Sequence, residues 1–209
     1  MSEPEVLVAI PAAGASRRLG RPKQLVALGG EPLLRRQCRC ALSAGVGPVL
    51  VILGCDADRH AQVIEDLPVE VCVNHAWLEG MAASLRHVVD AASERRAASL
   101  ILQCDQYRVT PAELRTLYDT WRLAPASACV SCWDDYAGPP AIVPSEYYDD
   151  VRRLRGDVGA RALLYDARRP RPTEVANPRA TFDLDSLEDL EDVASSEARL
   201  WTLTPKQKR

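Results

Sequence analysis

Short apolar runs, many of them rich in β-branched residues, alternate along the chain with segments of helical character. The apolar runs are Glu5–Ile10, Pro48–Leu53, Val69–Val73, Ser99–Cys104 and Ser127–Cys132, and the helical segments are 32–44, 57–66, 81–93 and 112–122. Runs of this length are typical of buried strands, and strands that alternate with helices favour βαβ units. The pattern therefore predicts an α/β fold with a mostly parallel central sheet.

A different pattern follows the fifth apolar run. It predicts a turn at 134–140, helices near 145–154 and 157–166, a Pro/Arg-rich connector at 168–172, a brief strand near 181–184 and a last helix over roughly 186–199. Ser186 can cap this last helix, and Glu188 and Asp189 in its first turn suit the positive end of the helix dipole. Since 209 residues fit one domain of ordinary size, residues 1–200 are expected to form a single domain and 201–209 a flexible basic tail.

Composition excludes several classes of partner. Hydrophobic residues make up 47% of the chain and charged residues 26%, as in ordinary globular proteins, so the chain is expected to fold. With 26 Lys and Arg against 29 Asp and Glu, the net charge of -3 does not attract nucleic acid or an acidic membrane surface. No apolar run reaches the ~20 residues that cross a bilayer, and no signal sequence is recognisable. A cytoplasmic monomer with no nucleic acid or membrane partner is expected.

The seven cysteines are an odd number and most lie inside apolar runs, which favours reduced thiols over a disulfide framework. Cys129 and Cys132 have the spacing of a zinc or redox pair. Residues three apart in a strand face opposite sides, and no second Cys or His pair has a suitable spacing. A zinc or redox function is therefore disfavoured.

The segment that follows the first predicted strand combines small residues with cations. The small residues are Ala12, Ala13, Gly14 and Ser16, and the cations are Arg17, Arg18, Arg21 and Lys23. Small residues let backbone N–H groups approach an anion, and nearby cations neutralise it, so a triphosphate would suit this loop. The spacing fits neither the dinucleotide fingerprint nor a Walker loop. The alternative to a phosphate site is a basic surface turn.

Asp105 follows the apolar run 99–104, at the edge where an open α/β sheet binds its ligands. A carboxylate there could hold Mg2+, which takes one or two carboxylates and completes its coordination with phosphates and water. Asp183 or Asp185 could be its partner, since one strand would present both on the same face. The alternative for Asp105 is a helix-capping or turn residue.

Two further glycine-containing segments are candidate contacts for a ligand. Gly80 and Ser84 lie at the start of a predicted helix, where small residues would let a nucleobase or ribose approach the backbone. Gly156, Asp157 and Arg161 could bind an acceptor substrate. The alternative for this second segment is that Asp157 caps a helix and Arg161 forms a surface ion pair.

Five motifs occur in order along the chain. They are Pro11-Ala-Ala-Gly-x-Ser-x-Arg-Leu-Gly20 with Pro22-Lys-Gln24, Gly80-Met-x-x-Ser-Leu85, Asp105-Gln106, Gly156-Asp-x-Gly-Ala-Arg161 and Asp183-Leu-Asp-Ser-x-Glu-Asp-Leu190. This ordered set resembles the motifs of the molybdenum cofactor cytidylyltransferases and their relatives. The resemblance implies a Rossmann-like three-layer nucleotidyltransferase fold. It also implies transfer of a nucleoside monophosphate from a triphosphate to a phosphorylated acceptor, with release of pyrophosphate.

Carried over residue by residue, the resemblance implies that Arg18, Lys23 and Asp105 are catalytic. The nucleotide would contact Ala12, Ala13, Gly14, Ser16, Arg17, Arg18, Lys23, Gly80 and Ser84, and the acceptor would contact Gly156, Asp157 and Arg161. Mg2+ would be the cofactor, held by Asp105 with Asp183 as the favoured second ligand and Asp185 as the alternative. The double alanine before Gly14 resembles the cytidine-using members, so CTP is the expected donor and molybdopterin a candidate acceptor.

Three positions depart from the pattern of the molybdenum branch. Tyr107 stands where the family usually has Pro, Pro11 stands where this branch usually has Leu, and the segment 137–143 lacks a Gly-His-Pro found in many molybdopterin-specific members. Two alternatives therefore stay open. One is a relative that binds a nucleotide or cofactor without transferring anything, and the other is a cytidylyltransferase that acts on a sugar or polyol phosphate.

Overall fold

The computed structural model describes residues 5–95, 97–184, 186 and 188–190. Its strands are β1 (Val6–Pro11), β2 (Ala27–Leu28), β3 (Glu31–Pro32), β4 (Val49–Leu53), β5 (Glu70–Val73), β6 (Ala98–Ile101), β7 (Cys129–Trp133), β8 (Tyr136–Val143) and β9 (Thr173–Ala176). In the described residues, β2 and β3 form a small hairpin and the others form one sheet in the order β5-β4-β1-β6-β8-β7-β9. Within that sheet β8 is antiparallel to both neighbours and the remaining pairs are parallel, which confirms the predicted mostly parallel sheet.

Helices cover both faces of this sheet. They are α1 (Leu33–Ala44), α2 (Ala57–Gln62), α3 (Met81–Glu94), α4 (Pro111–Trp121), α5 (Tyr148–Arg153) and α6 (Arg161–Leu164), with 3-10 turns at Lys23–Leu25, Trp77–Glu79, Ser145–Tyr147 and Pro178–Thr181. Helix α4 begins with a capping box, in which Thr110 and Glu113 satisfy each other's backbone N–H groups, and with Pro111 in its first turn. Helix α1 ends at Gly45, whose φ of 64° is the left-handed conformation that glycine tolerates.

Side chains of β1 alternate between two separate cores. Val6, Val8 and Ile10 contribute to a core that α1 and α4 cover. Leu7 and Ala9 contribute to a second core, on the opposite face, that α3 and α5 cover. Because successive residues of a strand point to opposite faces, a strand that is apolar throughout needs helices on both sides. The three-layer arrangement of the Rossmann-like fold is therefore confirmed.

The region after residue 133 differs from its prediction in two places. The predicted turn at 134–140 contains most of β8, and the strand predicted near 181–184 is wrong, because β9 lies earlier and a 3-10 turn precedes Phe182. Pro139 and Pro140 weaken the local signal for a strand, since proline cannot donate to a sheet. The carbonyl oxygens of both prolines accept hydrogen bonds from side chains. Gln106 Nε2 donates to Pro139 O at 2.7 Å, and Ser131 Oγ donates to Pro140 O at 2.8 Å.

The C-terminal part of the chain is only partly described. Ser186 and Asp189 form the predicted helix start, with each side chain bonded to the backbone N–H of the other residue. The rest of the predicted last helix, residues 191–199, and the predicted tail lie outside the described residues. Within the described part of the chain, no helix is both long and apolar enough to cross a membrane.

All seven cysteines lie in the described part of the chain and are free thiols. Cys129 contributes to the core under α1 and α4, whereas Cys132 packs against the core on the opposite face of the sheet. The two thiols of the Cys-x-x-Cys sequence therefore point away from each other, as the strand periodicity predicts.

Candidate active site

An open cavity of about 860 Å3 lies at the carboxyl ends of β1 and β6. These strands are neighbours and run in parallel, with Ala9 opposite Ile101. Their carboxyl ends consequently meet at one edge of the sheet, which is where open α/β sheets bind ligands. The segment after β1 and the turn that carries Asp105 both reach this edge, and Ala12, Lys23 and Asp105 line the same cavity.

The segment after β1 folds back on itself in a tight loop. Ser16 adopts a φ of 52°, in the left-handed region, and its Oγ accepts a hydrogen bond of 3.0 Å from the backbone N–H of Lys23. Gly14 is exposed at the cavity, and a Cβ added there would meet nothing within 4 Å. The loop thus has room for a ligand against its backbone, which is the property expected of an anion-binding loop.

Lys23 and Asp105, which both line the cavity, form an ion pair. Lys23 Nζ lies 2.6 Å from Asp105 Oδ2, and the two side chains are 18% and 16% exposed. The other carboxylate oxygen, Asp105 Oδ1, is buried and has no hydrogen-bond partner among the described residues. A buried carboxylate oxygen without a donor is unfavourable by itself, so this atom fits a ligand that brings positive charge.

The described residues contain no group of three or more His, Cys, Asp or Glu that could hold a metal ion. A divalent cation at Asp105 would therefore be held by few protein ligands. A small number of protein ligands fits Mg2+, which binds one or two carboxylates and completes its coordination with substrate phosphates and water. Asp183 is exposed, and Asp185 lies outside the described residues.

The segment before Asp183 packs on the turn that carries Asp105. Gln106 Nε2 donates to Ala180 O at 3.0 Å, and the Arg108 guanidinium stacks 3.9 Å from the centre of the Phe182 ring. The expectation that Asp183 belongs to a strand is wrong, since Asp183 follows a 3-10 turn. The turn of Asp105 and the segment of Asp183 are nevertheless neighbours in space.

Gly80 is needed for the packing of two segments that are far apart in sequence. Its φ is 112°, and a Cβ there would lie 2.7 Å from the backbone of Gly156 and Asp157. The Gly156 carbonyl accepts from Ala82 N at 3.1 Å, and Asp157 Oδ1 accepts from Met81 N at 3.3 Å. The segment 156–157 thus caps the N-terminus of α3, whose backbone N–H groups have no partner within the helix.

Ser84 lies inside the cavity wall on α3. It is buried, and its Oγ accepts a hydrogen bond of 3.2 Å from Asn74 Nδ2. Asn74 is itself fully buried, and its Oδ1 accepts from the backbone N–H of Ala76. This network fixes the hydroxyl of Ser84 at the cavity surface, where it can donate to a ligand.

Arg161 lies in the wall of the cavity that comes from the later part of the chain. Its Nε donates to Ala137 O at 3.0 Å, and its guanidinium lies 4.8 Å from the ring centre of Tyr136 and 5.8 Å from that of Tyr165. The aromatic contacts and the carbonyl hold the planar cation in one orientation. The surface ion pair that was the alternative for Arg161 is not among the ion pairs of the described residues.

The structure therefore brings most of the predicted site residues to one cavity. Those that line it are Ala12, Ala13, Gly14, Lys23, Gly80, Ser84, Asp105, Asp157 and Arg161. Ser16, at the end of the loop, does not line the cavity and accepts a hydrogen bond from Lys23 N, and Arg17 and Arg18 are exposed. Gly156 contributes through its backbone to the start of α3. Sequence reasoning assigned no role to Gln24, although the residue stands in the Pro-Lys-Gln motif.

Cys104 precedes Asp105 in the chain and lines the same cavity. Cys104 is buried beside Asp105, and burial raises the pKa of its thiol well above the usual value, with the Asp105 charge adding to the effect. A protonated, buried thiol is a poor nucleophile and a poor metal ligand. Cys104 is therefore a poor candidate for a nucleophile or a metal ligand in this cavity.

Comparison with known proteins identifies the family of the chain. Residues 8–172 match the family described as the MobA-like NTP transferase domain. A protein of Paenarthrobacter nicotinovorans named nicotine blue oxidoreductase is 30% identical over 160 residues, which are 73% of this chain and 78% of that protein. The purine catabolism protein PucB of Bacillus subtilis is 31% identical over 173 residues, which are 78% of this chain and 82% of that protein.

A similar solved structure is that of Rv0371c from Mycobacterium tuberculosis. It superposes with a TM-score of 0.80 at 28% identity, covering 93% of this chain and all of that one. A second structure of the same protein is a complex with manganese, with a TM-score of 0.74 and 26% identity, covering 92% of this chain and 99% of that one.

Proposed function

This chain belongs to the MobA-like NTP transferase family, and from that membership we propose that it transfers CMP from CTP to a small phosphorylated acceptor such as molybdopterin. One observation carries the proposal: the loop after β1 and Asp105 border one cavity, where Lys23 and Asp105 form an ion pair. An anion-binding loop beside a carboxylate that can hold a divalent cation meets the needs of phosphoryl-type transfer, which depends on positioning and charge stabilisation.

In the proposed reaction, an acceptor oxygen attacks the α-phosphorus of the triphosphate in line. The new bond joins that oxygen to phosphorus, and the bond to the bridging oxygen breaks, so that pyrophosphate leaves with the electron pair. A phosphate monoester is largely ionised near neutral pH, because its second pKa is about 6. Such an acceptor needs neither a general base nor a covalent enzyme intermediate.

The residues of the loop have separate roles in this proposal. The backbone around Gly14 binds the phosphates, and Lys23 and Arg18 neutralise the triphosphate and the departing pyrophosphate. Ser16 and Arg17 complete the loop. The ammonium group of Lys23 has three N–H donors, so it can contact a phosphate oxygen while it keeps its contact with Asp105.

A site for a divalent cation is proposed at Oδ1 of Asp105. A divalent cation, when bound, supplies positive charge to the reacting phosphates. Asp105 offers it Oδ1, the buried oxygen without a partner among the described residues. Asp183 is the favoured second ligand, with Asp185 as the alternative, and Mg2+ is the proposed ion. The manganese complex of the related Rv0371c supports a divalent cation in general.

The remaining walls of the cavity are assigned to the two substrates, the nucleotide and the phosphorylated acceptor. Gly80 and Ser84, at the start of α3, are proposed to contact the nucleobase or ribose. Arg161, held by Ala137 and two aromatic rings, is proposed to bind the acceptor, with Gly156 and Asp157 shaping the wall between them. A guanidinium in a fixed orientation suits a phosphorylated acceptor because it can donate two parallel hydrogen bonds to one phosphate.

The experiment measures pyrophosphate release. The purified full chain is incubated with Mg2+, with CTP or GTP labelled at the α-phosphate, and with molybdopterin or a sugar or polyol phosphate. Release that requires an acceptor, together with transfer of the label to it, is the expected result, with CTP preferred over GTP. Asp105→Asn serves as the matched control for contaminating activity, because it removes one charge and keeps the shape of the side chain.

A second candidate follows from the names of the relatives. One relative that is 30% identical is named an oxidoreductase, and this name favours a protein that binds a nucleotide or cofactor without nucleotidyl transfer as the second candidate. This candidate predicts that nucleotides raise the melting temperature of the chain while no acceptor in the panel releases pyrophosphate. The two measurements together separate binding without transfer from the proposed transferase.

A further inference from the structure

We propose that Gln24 is a positioning residue that gives the loop of residues 12–16 its anion-binding shape. The inference rests on the proposed function, because it assumes that this loop receives the phosphates of a nucleotide. Gln24 is 2% exposed and lies in the 3-10 turn that follows the loop. Burying a carboxamide is unfavourable unless its polar atoms form hydrogen bonds, so the hydrogen-bond partners of Gln24 indicate its role.

Each polar atom of the Gln24 amide bonds to the loop. Nε2 donates to Ala12 O at 2.8 Å and to Gly14 O at 2.9 Å. Oε1 accepts a hydrogen bond of 3.3 Å from Ser16 Oγ, which itself accepts from the backbone N–H of the residue before Gln24. One side chain thus spans the loop from its first residue to its last.

These contacts decide which way the peptide units of the loop face. The carbonyls of Ala12 and Gly14 point to Gln24, and the carbonyl between them, that of Ala13, accepts from Cys55 N at 3.0 Å. In a trans peptide unit the N–H points opposite to the C=O. The N–H groups of residues 13–15 are therefore directed away from these partners, and none of them has an acceptor in the described part of the chain.

A loop of this kind presents its donors to a ligand without rearrangement. Ala13 and Gly14 line the cavity, so their N–H groups are available to the phosphates of a bound nucleotide. If the Gln24 amide were lost, the carbonyls of Ala12 and Gly14 would lack their partners and could turn toward the cavity. A carbonyl oxygen facing a phosphate is repulsive, so affinity for the phosphates should fall.

The test measures the binding of inorganic tripolyphosphate to the full chain by calorimetry. This probe has neither base nor ribose and therefore reports on the phosphate site alone. Gln24→Leu removes both donors at similar size, and Gln24→Glu keeps an acceptor for Ser16 but supplies no donor to the two carbonyls. Both variants are expected to raise the dissociation constant at least ten-fold, roughly the effect of losing two buried hydrogen bonds.

Tyr148→Phe is the matched control. It removes a buried hydroxyl that donates to a backbone carbonyl, Ala97 O at 2.6 Å, at the amino end of β6. The control should lose stability and keep its affinity for tripolyphosphate. Hydrogen exchange provides a second readout, because the N–H of Ala12, which donates to Ile52 O at 2.8 Å, should exchange faster in both Gln24 variants and at the wild-type rate in the control.

Three outcomes would overturn the inference. Wild-type affinity in Gln24→Leu would remove Gln24 from the phosphate site, and wild-type affinity in Gln24→Glu would show that donation to the two carbonyls is unimportant. Where Gln24→Leu does not fold, Gln24→Met, which also lacks the amide donors and carries no charge, decides the question. If the wild-type chain binds neither tripolyphosphate nor any nucleoside triphosphate, the proposed function is wrong as well. If the wild-type chain binds them and the variants bind equally well, only the role of Gln24 is wrong.

Discussion

Lys23 Nζ lies 2.6 Å from Asp105 Oδ2, although the two residues are 82 positions apart in the sequence. The ammonium group therefore stands beside the carboxylate that is the proposed metal ligand, and it is also the proposed contact for a triphosphate. A cation on Asp105 and the Lys23 ammonium repel each other, whereas a triphosphate attracts both. The proposed site consequently links the binding of metal to the binding of nucleotide through one side chain.

Replacing Lys23 should change the affinities for metal and for nucleotide in opposite directions. In Lys23→Met, the affinity for Mn2+ without nucleotide should rise because the competing charge beside Asp105 is gone. The affinity for CTP should fall by roughly ten-fold or more, the scale of a lost hydrogen bond to a charged group. Electron paramagnetic resonance of free Mn2+ and calorimetry with CTP measure the two quantities. A fall in both affinities would argue against competition between Lys23 and the metal.

Replacing Asp105 should affect turnover far more than folding. Asp105→Asn removes the charge that would hold the metal, and turnover should drop by at least ~10²-fold, the scale of removing a key electrostatic group. The free energy of unfolding should change much less, because the amide keeps the size of the side chain. Steady-state rates at saturating Mg2+, with urea denaturation alongside, test this. Near wild-type rates would exclude Asp105 from the mechanism.

Two glycines that border the cavity should respond differently to a methyl group. A Cβ at Gly14 enters open space, so Gly14→Ala should change the free energy of unfolding by no more than about 0.5 kcal/mol. It should still weaken CTP binding about ten-fold, equivalent to about 1.4 kcal/mol, if phosphates contact this backbone. Gly80→Ala should instead lower stability by about 1–3 kcal/mol, because of its positive φ and its contact with Gly156. Denaturation curves and calorimetry distinguish the two cases.

His60 should make stability fall in mild acid. It is 1% exposed on α2, both ring nitrogens lack partners among the described residues, and burial lowers the pKa of its imidazole below the usual 6.5. Because the unfolded chain takes up a proton at higher pH than the folded chain, this contribution to stability is complete above pH 6.5 and declines below it. The slope is at most about 1.4 kcal/mol per pH unit. His60→Leu should flatten the decline between pH 7.5 and 5.5 in urea denaturation, and an unchanged slope would contradict the assignment.

The fold was predictable where its signal is local. Alternating apolar and polar positions identify strands and helices because side-chain periodicity depends on the immediate neighbours of a residue. The segment after β1 and Asp105 could also be placed at one edge of the sheet. Both follow strands that are predicted to be parallel, and parallel strands bring their carboxyl ends together. The strand β8 was missed because its Gly138, Pro139 and Pro140 favour a turn locally, whereas contacts with Ser131 and Gln106 stabilise it as a strand.

The sequence by itself determined the α/β class, the family resemblance and nine of the 27 residues that line the cavity. Only the tertiary structure decided that Lys23 pairs with Asp105, that Gln24 holds the carbonyls of the loop, and that Asp157 caps α3. The physical reason is that local propensities depend on a few consecutive residues. An ion pair or a cap between distant segments exists only after the whole sheet has set their distance and orientation.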